Sequence, residues 1–275
     1  MGGMATLEWP LCTPSGYVKN MIPISTSLCH DAWGIAWAEA QRQCVFADRG
    51  YENGYYTTQP KSGLAAARMV GMLTYRSSTS FERRFGREGH SARKGELANE
   101  MKKNGSLRHD RRDSGILACD VTKSDILKFK AQSYLHYQGQ KFTNRFDANC
   151  FVHLTRKMDA HDVSIHSNPQ FPHGALVIGI SSDVLFRPEQ QEEIARHLPE
   201  SRLVIIESEE GHDGFLLEFE KLGRLIERFL REKCTWVYEA PLSIGVEQVM
   251  EEVGDSIFGE VESGWWGGTE EVVVR

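Results

Sequence analysis

Residues 175–215 read ALVIGISSDVLFRPEQQEEIARHLPESRLVIIESEEGHDGF, and this stretch decides the fold. It contains two strand-then-helix units in succession. The runs 175–180 and 202–207 are short and apolar, which is typical of buried parallel strands. Pro188 marks the start of the helix between them, because the first turn of a helix does not use the N–H that proline lacks. The sequence therefore predicts an α/β fold with a parallel sheet.

Polar side chains follow both predicted strands. Asp183 comes just after the first strand, and His212 comes just after the second, 29 positions later (212 − 183). Ligands bind at the carboxyl ends of strands in open α/β sheets, so we expect the two side chains to meet there. An aspartate can orient a histidine that acts as a general base. The alternative is that Asp183 caps the following helix and that His212 is an ordinary loop residue.

Apolar residues at helical spacing predict further helices over 30–48, 63–77, 126–157 and 215–231, and the run 17–25 predicts another strand. In the helix after Pro188, we expect Ile194, Ala195 and Leu198 to face the core. The apolar positions of the first helix are Trp33, Ala36, Trp37, Ala40 and Cys44, and those of the last are Leu216, Phe219, Leu222, Ile226 and Phe229.

The composition is that of an ordinary globular protein. The chain has 275 residues, 40% of them hydrophobic and 25% charged, and a net charge of −6 that argues against a nucleic-acid partner. No apolar run approaches the ~18 residues that a membrane span needs, and the N-terminus lacks the pattern of a secretory signal. The six cysteines are scattered, which favours reduced thiols in a cytoplasmic protein. The histidines form no metal-ligand spacing, so no metal site is predicted.

Three segments resemble the homoserine O-acetyltransferase family. Residues 182–190 (SDVLFRPEQ) and 211–215 (GHDGF) resemble the segments that carry the catalytic Asp and His of the family. Residues 1–9 (MGGMATLEW) resemble the sequence that follows its nucleophilic serine. The predicted helices over 30–48 and 63–77 resemble its helical lid. The resemblance covers most of residues 1–231, except the stretches near 87–115 and 164–173.

The resemblance implies an α/β-hydrolase fold with an N-terminally truncated parallel sheet and a helical lid insertion. Residues 1–28 would begin the hydrolase core after the nucleophile elbow, and residues 29–165 would form the lid, including a flexible, basic insertion at 87–115. Residues 166–232 would be the C-terminal part of the core that carries the Asp and His. Residues 233–275 form a tail of unassigned role. Members of the family usually dimerise through the lid, so a homodimer is expected.

The implied reaction transfers acetyl from acetyl-CoA to the hydroxyl of L-homoserine, a step of methionine biosynthesis. By resemblance, Asp183 and His212 are two members of a Ser-His-Asp triad. The backbone N–H of Met1 would form half of the oxyanion hole. Acetyl-CoA would be a co-substrate, and no bound cofactor, nucleic acid or membrane is expected.

Three further residues of this sequence match substrate-binding positions of the family. Arg68 would clamp the carboxylate of the amino-acid acceptor, Tyr75 would hydrogen-bond in the substrate pocket, and Asp213 would pair with the acceptor's ammonium group. The residues alone also allow simpler roles. Arg68 is as well explained by a structural ion pair, and Tyr75 by a core aromatic with its hydroxyl at the edge.

The sequence departs from the family pattern at one decisive position. No serine stands at the place of the nucleophile, so we expect these 275 residues to lack transferase activity by themselves. Two alternatives stay open. One is a related O-acetyltransferase that acts on serine or deacetylcephalosporin C. The other is a degenerate paralogue without enzymatic activity, which binds partners through the lid helices.

Overall fold

The computed structural model describes residues 1–86, 129–165 and 171–239. The chain divides into two compact units, Met1–Glu227 and Arg228–Arg275. The predicted insertion at 87–115 lies outside the described residues, and the division into core, lid and tail stays a prediction. The described helices, in chain order, are α1 (Gly2–Cys12), α2 (Ala32–Phe46), α3 (Lys61–Tyr75), α4 (Ser78–Phe85), α5 (Lys130–Thr143), α6 (Ala148–Asp159), α7 (Pro188–His197), α8 (Gly214–Leu217), α9 (Phe219–Lys233) and α10 (Thr235–Glu239).

Within the described part of the first unit, two parallel strands form a sheet. Strand β1 (Leu176–Ile180) pairs with β2 (Arg202–Ile206), with Leu176 opposite Arg202 and Ile180 opposite Ile206. Every residue of β1 is buried, as a strand covered on both faces requires. The two strands predicted from the apolar runs are confirmed, and α7 connects them.

The third predicted strand is only partly formed. The stretch 17–25 contributes a single parallel bridge to the sheet, between Ile24 and Ile178. The Ile178 N–H donates to the Pro23 carbonyl oxygen at 3.0 Å, and the Ser25 N–H donates to the Ile178 carbonyl oxygen at 2.8 Å. Pro23 itself has no N–H, so it cannot supply the ladder bond that a parallel strand would make at its position. The chain is therefore extended and paired there, but only over a short length.

One apolar cluster joins α1 and α7 to the sheet. Leu7 of α1, Ile194 of α7 and Val177 of β1 are all buried in it, as is Leu198, which directly follows α7, and Ala195 packs against its edge. The predicted inward face of α7 is thus confirmed. The other buried members of this cluster are Met21, Leu28, Val163, Phe171 and Ala175.

Helices α2 to α6, which we call the lid, have a separate apolar cluster. It contains Val45, Leu64, Ala67, Ala148 and Val152. Helices α2 and α3 approach closely because Gly63 lacks a side chain, and an added Cβ there would lie 2.6 Å from the Cys44 carbonyl oxygen. The helix predicted over 126–157 is in fact two helices. Asp147 caps the second of them by accepting a hydrogen bond from the Cys150 N–H.

In two of the predicted helices, the apolar residues do not all face the core. Helix α2 buries Arg42, whereas Trp33 is 49% exposed. The helix predicted over 215–231 is interrupted at Glu218, where the backbone leaves the helical conformation between α8 and α9. Of its apolar positions, Leu216 and Phe219 are exposed rather than buried, and Phe219 has an exposed fraction of 68%.

Candidate active site

A carboxylate and an imidazole meet at the carboxyl edge of the two strands. The Asp183 Oδ2 lies 2.7 Å from Nδ1 of His212. The other carboxylate oxygen of Asp183 accepts hydrogen bonds from the backbone N–H groups of Leu185 and Phe186, both at 2.8 Å. Its side chain is fully buried. Asp183 therefore caps its own turn and not α7, whose N-cap is Arg187.

The hydrogen bond fixes which nitrogen of His212 can accept a proton. Since the Asp183 carboxylate is an acceptor, Nδ1 of His212 carries the hydrogen and Nε2 is left to accept a proton. The ring is enclosed by three aromatic rings. Their centres lie at 6.3 Å for Tyr75, 5.3 Å for Phe186 and 5.1 Å for Phe215. An imidazole held this way can act as a general base.

The loop that carries His212 requires a glycine. Gly211 has a φ of +70°, and an added Cβ would lie 2.6 Å from the carbonyl carbon of Arg76. Its N–H donates to Ser182 Oγ at 2.9 Å, and the Ser208 N–H donates to Ser181 Oγ at 3.1 Å. The two loops that follow β1 and β2 are therefore hydrogen-bonded to each other, which holds Asp183 and His212 side by side.

The predicted acceptor-binding residues Arg68 and Tyr75 lie together on α3. Nη1 of Arg68 is 3.5 Å from the Tyr75 hydroxyl, and the guanidinium carbon is 5.2 Å from the centre of the Tyr75 ring. The ring of Phe142, on α5, flanks the same guanidinium at 5.0 Å. Cation–π contacts on Arg68 from two rings restrict how the side chain can turn. Since Tyr75 also neighbours His212, α3 brings this pair to the edge of the dyad.

The structure gives Asp213 a protein partner that the sequence reasoning did not identify. The Nε of Arg76 donates to Asp213 Oδ2 at 2.8 Å, and Nη1 of Arg76 binds Glu210 Oε2 at 2.6 Å. Neither Arg76 nor Glu210 was predicted as a site residue. Arg76 directly follows Tyr75 in sequence, but the neighbouring residues do not indicate that its partners lie more than 130 positions away. The predicted contact of Asp213 with an ammonium group stays a prediction.

Glu210 is held in its ionised form. Burial alone would raise the pKa of this carboxyl, but it is outweighed by the hydrogen bond from Ser80 Oγ at 2.5 Å and by the positive charges of Arg84, Arg76 and Arg83. The pKa of Glu210 therefore lies below its ordinary value. The negative charge beside the His212 loop is thus permanent at neutral pH.

Met1 lies at the N-terminus of α1. Two positions later, Gly3 packs so closely that an added Cβ would be 2.6 Å from Cβ of Thr26, which follows the third, partly formed strand. The start of α1 therefore reaches the carboxyl edge of the sheet, where backbone N–H groups at a helix N-terminus favour negative charge. Met1 is thus at the correct edge for an oxyanion donor, and the role itself stays a prediction.

The described residues contain no group of three or more His, Cys, Asp or Glu side chains that could hold a metal ion. The cysteines placed by the structure, Cys12, Cys29, Cys44, Cys150 and Cys234, are free thiols. Within the described ranges, no helix has the length and apolarity that crossing a bilayer requires.

The chain is similar to fungal enzymes along nearly its whole length. It is 36% identical to a homoserine O-acetyltransferase of Cryptococcus neoformans, in an alignment that covers 96% of this chain and 70% of that protein. A homoserine O-acetyltransferase of Saccharomyces cerevisiae is 38% identical, with 95% of this chain and 66% of that protein covered. The chain spans about two thirds of the length of these relatives. No protein-family model matches it.

Solved structures show the same fold. A homoserine O-acetyltransferase from Bacillus anthracis superimposes with a TM-score of 0.65 at 17% identity, over 84% of this chain and 58% of that one. Esterase E22 superimposes with a TM-score of 0.61 at 20% identity, over 83% of this chain and 58% of that one. The predicted α/β-hydrolase fold is thereby confirmed.

Proposed function

The chain belongs to the homoserine O-acetyltransferase family, and on that premise we propose that it carries the Asp and His of an acetyl-transfer site. The observation that carries the proposal is the 2.7 Å contact between Asp183 and His212, which leaves Nε2 of the imidazole as the base. The position of Tyr75 and Arg68 next to this dyad supports an acceptor that is an amino acid.

The first half-reaction forms an acetyl-serine. In the family motif the nucleophile is a serine at the position before the one that Met1 matches. Its hydroxyl oxygen attacks the thioester carbonyl carbon of acetyl-CoA while His212 takes the hydroxyl proton, and the CoA thiolate leaves with that proton. The backbone N–H of Met1 stabilises the oxyanion, an interaction worth about 3 kcal/mol in comparable sites.

The second half-reaction passes the acetyl group to the acceptor. His212 takes the proton of the homoserine hydroxyl, and the hydroxyl oxygen attacks the carbonyl carbon of the acetyl-serine. The serine oxygen leaves and recovers the proton from His212. The product is O-acetyl-L-homoserine, and Asp183 stabilises the imidazolium in both halves.

Charged side chains select the acceptor. Arg68 suits a carboxylate because its planar guanidinium can donate to both oxygens at once. Asp213 suits an ammonium group, which it shares with Arg76. A water molecule offers neither charge, so transfer is favoured over hydrolysis. We place the reaction in methionine biosynthesis and the protein in the cytoplasm.

The lid supports a homodimer. Helices α2, α3 and α5 expose large apolar side chains, among them Trp33, Leu73 and Tyr137. Exposed apolar side chains that lie in one contiguous patch are typical of protein contacts. A second copy of this chain is the partner that the family resemblance favours, and small molecules are the substrates.

The test is an acceptor competition in the native full-length protein. Acetyl-CoA is offered with equal concentrations of L-homoserine, L-serine and deacetylcephalosporin C, and the acetylated products are measured by mass spectrometry. We expect O-acetyl-homoserine to dominate, and His212→Ala to abolish it. The matched control is His153→Ala, since His153 is an exposed lid histidine. Preference for another acceptor would reassign the substrate, and no transfer to any acceptor would favour the non-enzymatic paralogue.

A further inference from the structure

The loop that carries His212, residues 208–213, is bound to the lid by several ion pairs, and Arg76 is the arginine that binds the carboxylates on both sides of His212. We call this loop the histidine loop. Its carboxylates at Glu210 and Asp213 stand on either side of His212 in sequence, and both bind the guanidinium of Arg76, at 2.6 and 2.8 Å. The side chains of Arg76, Glu210 and Asp213 are only 10%, 13% and 10% exposed. Charge-assisted bonds shielded from water in this way are stronger than those at a surface.

The guanidinium bridges the loop with two different nitrogens. Nε binds Asp213 and Nη1 binds Glu210, so one rigid plane spans the two residues that enclose the histidine. The backbone reinforces this contact. Gly211 packs on the main chain of Arg76, and the Ser77 hydroxyl donates to the Glu209 carbonyl oxygen. The conformation of the histidine loop therefore depends on its contacts with the start of α4 as well as on those with the sheet.

The same arginine offsets negative charge near the imidazole. The titratable and charged groups around His212 and its loop are Asp183, Tyr75, Glu210, Asp213, Arg76, Arg83 and Arg84. Without Arg76, Asp213 would lose its guanidinium contact, whereas Glu210 would keep Arg83, Arg84 and Ser80. A nearly buried charge with weaker compensation is costly, so the loop would move to expose it. Movement of the loop would carry His212 away from Asp183.

We propose that Arg76 is a positioning residue for His212. It contacts neither nitrogen of the imidazole and acts through Glu210 and Asp213. The inference rests on the proposed acetyl transfer for its kinetic consequence, whereas its structural consequence, the placement of His212 against Asp183, holds for the loop in any case. The lid thereby takes part in the placement of His212 against Asp183.

The experiment compares Arg76→Met and Arg76→Lys with the control Arg156→Met in the native full-length protein. Arg156 is an exposed lid arginine that lies over Phe46 and has no bond to the histidine loop. Two readouts are needed: the separate values of kcat and KM for acetyl transfer, and the NMR signal of the hydrogen on Nδ1 of His212, which reports its bond to Asp183.

We expect Arg76→Met to lower kcat by about 10- to 100-fold, as a misplacement of about 1 Å does, with KM for acetyl-CoA changed by less than about 3-fold. The Nδ1 hydrogen signal should broaden or vanish. Arg76→Lys should recover part of both, because lysine keeps the charge but lacks the planar guanidinium that presents separate nitrogens to the two carboxylates. Arg156→Met should leave both readouts unchanged.

Two results would overturn the proposal. One is an Arg76→Met protein that unfolds at a lower temperature but keeps its kcat and its Nδ1 signal, since Arg76 would then be structural only. The other is equal loss in the Arg156→Met control. If Arg76→Met does not fold, the same two readouts are taken from Glu210→Gln. This variant keeps the bond between Arg76 and Asp213 and tests the one between Arg76 and Glu210. If the wild-type protein transfers no acetyl group, the proposed function fails, and the NMR signal still decides the role of Arg76.

Discussion

The carboxylate of Asp183 binds Nδ1 of His212 at 2.7 Å, and its second oxygen is occupied by two backbone N–H groups. The carboxylate thus takes part in three hydrogen bonds. No rotation of the side chain can exchange the two oxygens without breaking them. The dyad is therefore rigid at the aspartate, and the orientation of the imidazole depends on this one contact.

Asp183→Asn should remove catalysis while keeping the fold. The amide can present its N–H₂ to His212, which favours the wrong tautomer of the imidazole, and a loss of about 10⁴-fold in kcat is expected from comparable triads. Steady-state kinetics of the native full-length protein measure this loss of kcat. The control is Asp162→Asn, since Asp162 accepts a hydrogen bond from the Ser164 N–H in an exposed turn. A loss below 10-fold would contradict the triad role of Asp183.

Arg68→Lys should weaken acceptor binding more than the chemical step. Lysine replaces the planar fork with a point charge and loses the contacts with the rings of Tyr75 and Phe142. We expect KM for L-homoserine to rise by about 10-fold, which corresponds to about 1.4 kcal/mol, and KM for acetyl-CoA to stay constant. Equal increases in both KM values would place Arg68 outside the acceptor site.

Gly211→Ala should destabilise the protein by about 2–4 kcal/mol, because it adds a Cβ at a positive φ and forces it against the Arg76 backbone. Gly223→Ala is a matched control, since an added Cβ there meets nothing within 4 Å and α9 gains helix propensity. Urea unfolding measures both free energies. The expectation fails if the two alanine variants are equally stable.

Protonation of Glu210 should lower the free energy of unfolding as the pH falls below about 4.5. Its folded-state pKa lies below the ordinary value of 4.5, so its contribution is complete above that pH and is lost as the pH falls through the folded pKa. The difference in unfolding free energy between wild type and Glu210→Gln should therefore be constant from pH 7 to 5 and shrink below 4.5. Glu209→Gln, at a more exposed carboxylate, should show a smaller difference throughout. A difference for Glu210→Gln that grows on acidification would reverse the assignment.

The parts of the fold that the sequence predicted are those with a local pattern. Strands β1 and β2 are continuous apolar runs, and Asp183 and His212 stand directly after them, so both strands could be predicted from neighbouring residues alone. Pro188 likewise marks the first residue of α7. The resemblance to homoserine O-acetyltransferases, which rests on contiguous motifs, agrees with the family that the fungal relatives show.

The features that the sequence did not predict depend on partners far along the chain. Arg42 is buried in α2 because its charge is matched by Asp159, at 2.7 Å, on α6. A helical pattern of apolar residues gives no sign of such a pair, so it does not reveal which face of α2 is inside. The same holds for Arg76, whose partners follow it by 134 and 137 positions (210 − 76 and 213 − 76).

The bond between Arg76 and the histidine loop has a consequence for protein engineering. Lids are attractive parts to exchange between α/β hydrolases when a new acceptor is wanted, since they form a separate insert in the sequence. Here the segment 76–84 and the loop 208–213 form one continuous set of ion pairs and backbone contacts. A chimaera that takes the lid from one parent and the histidine loop from another would separate residues that pair with each other in a single protein. Both segments must be transplanted together.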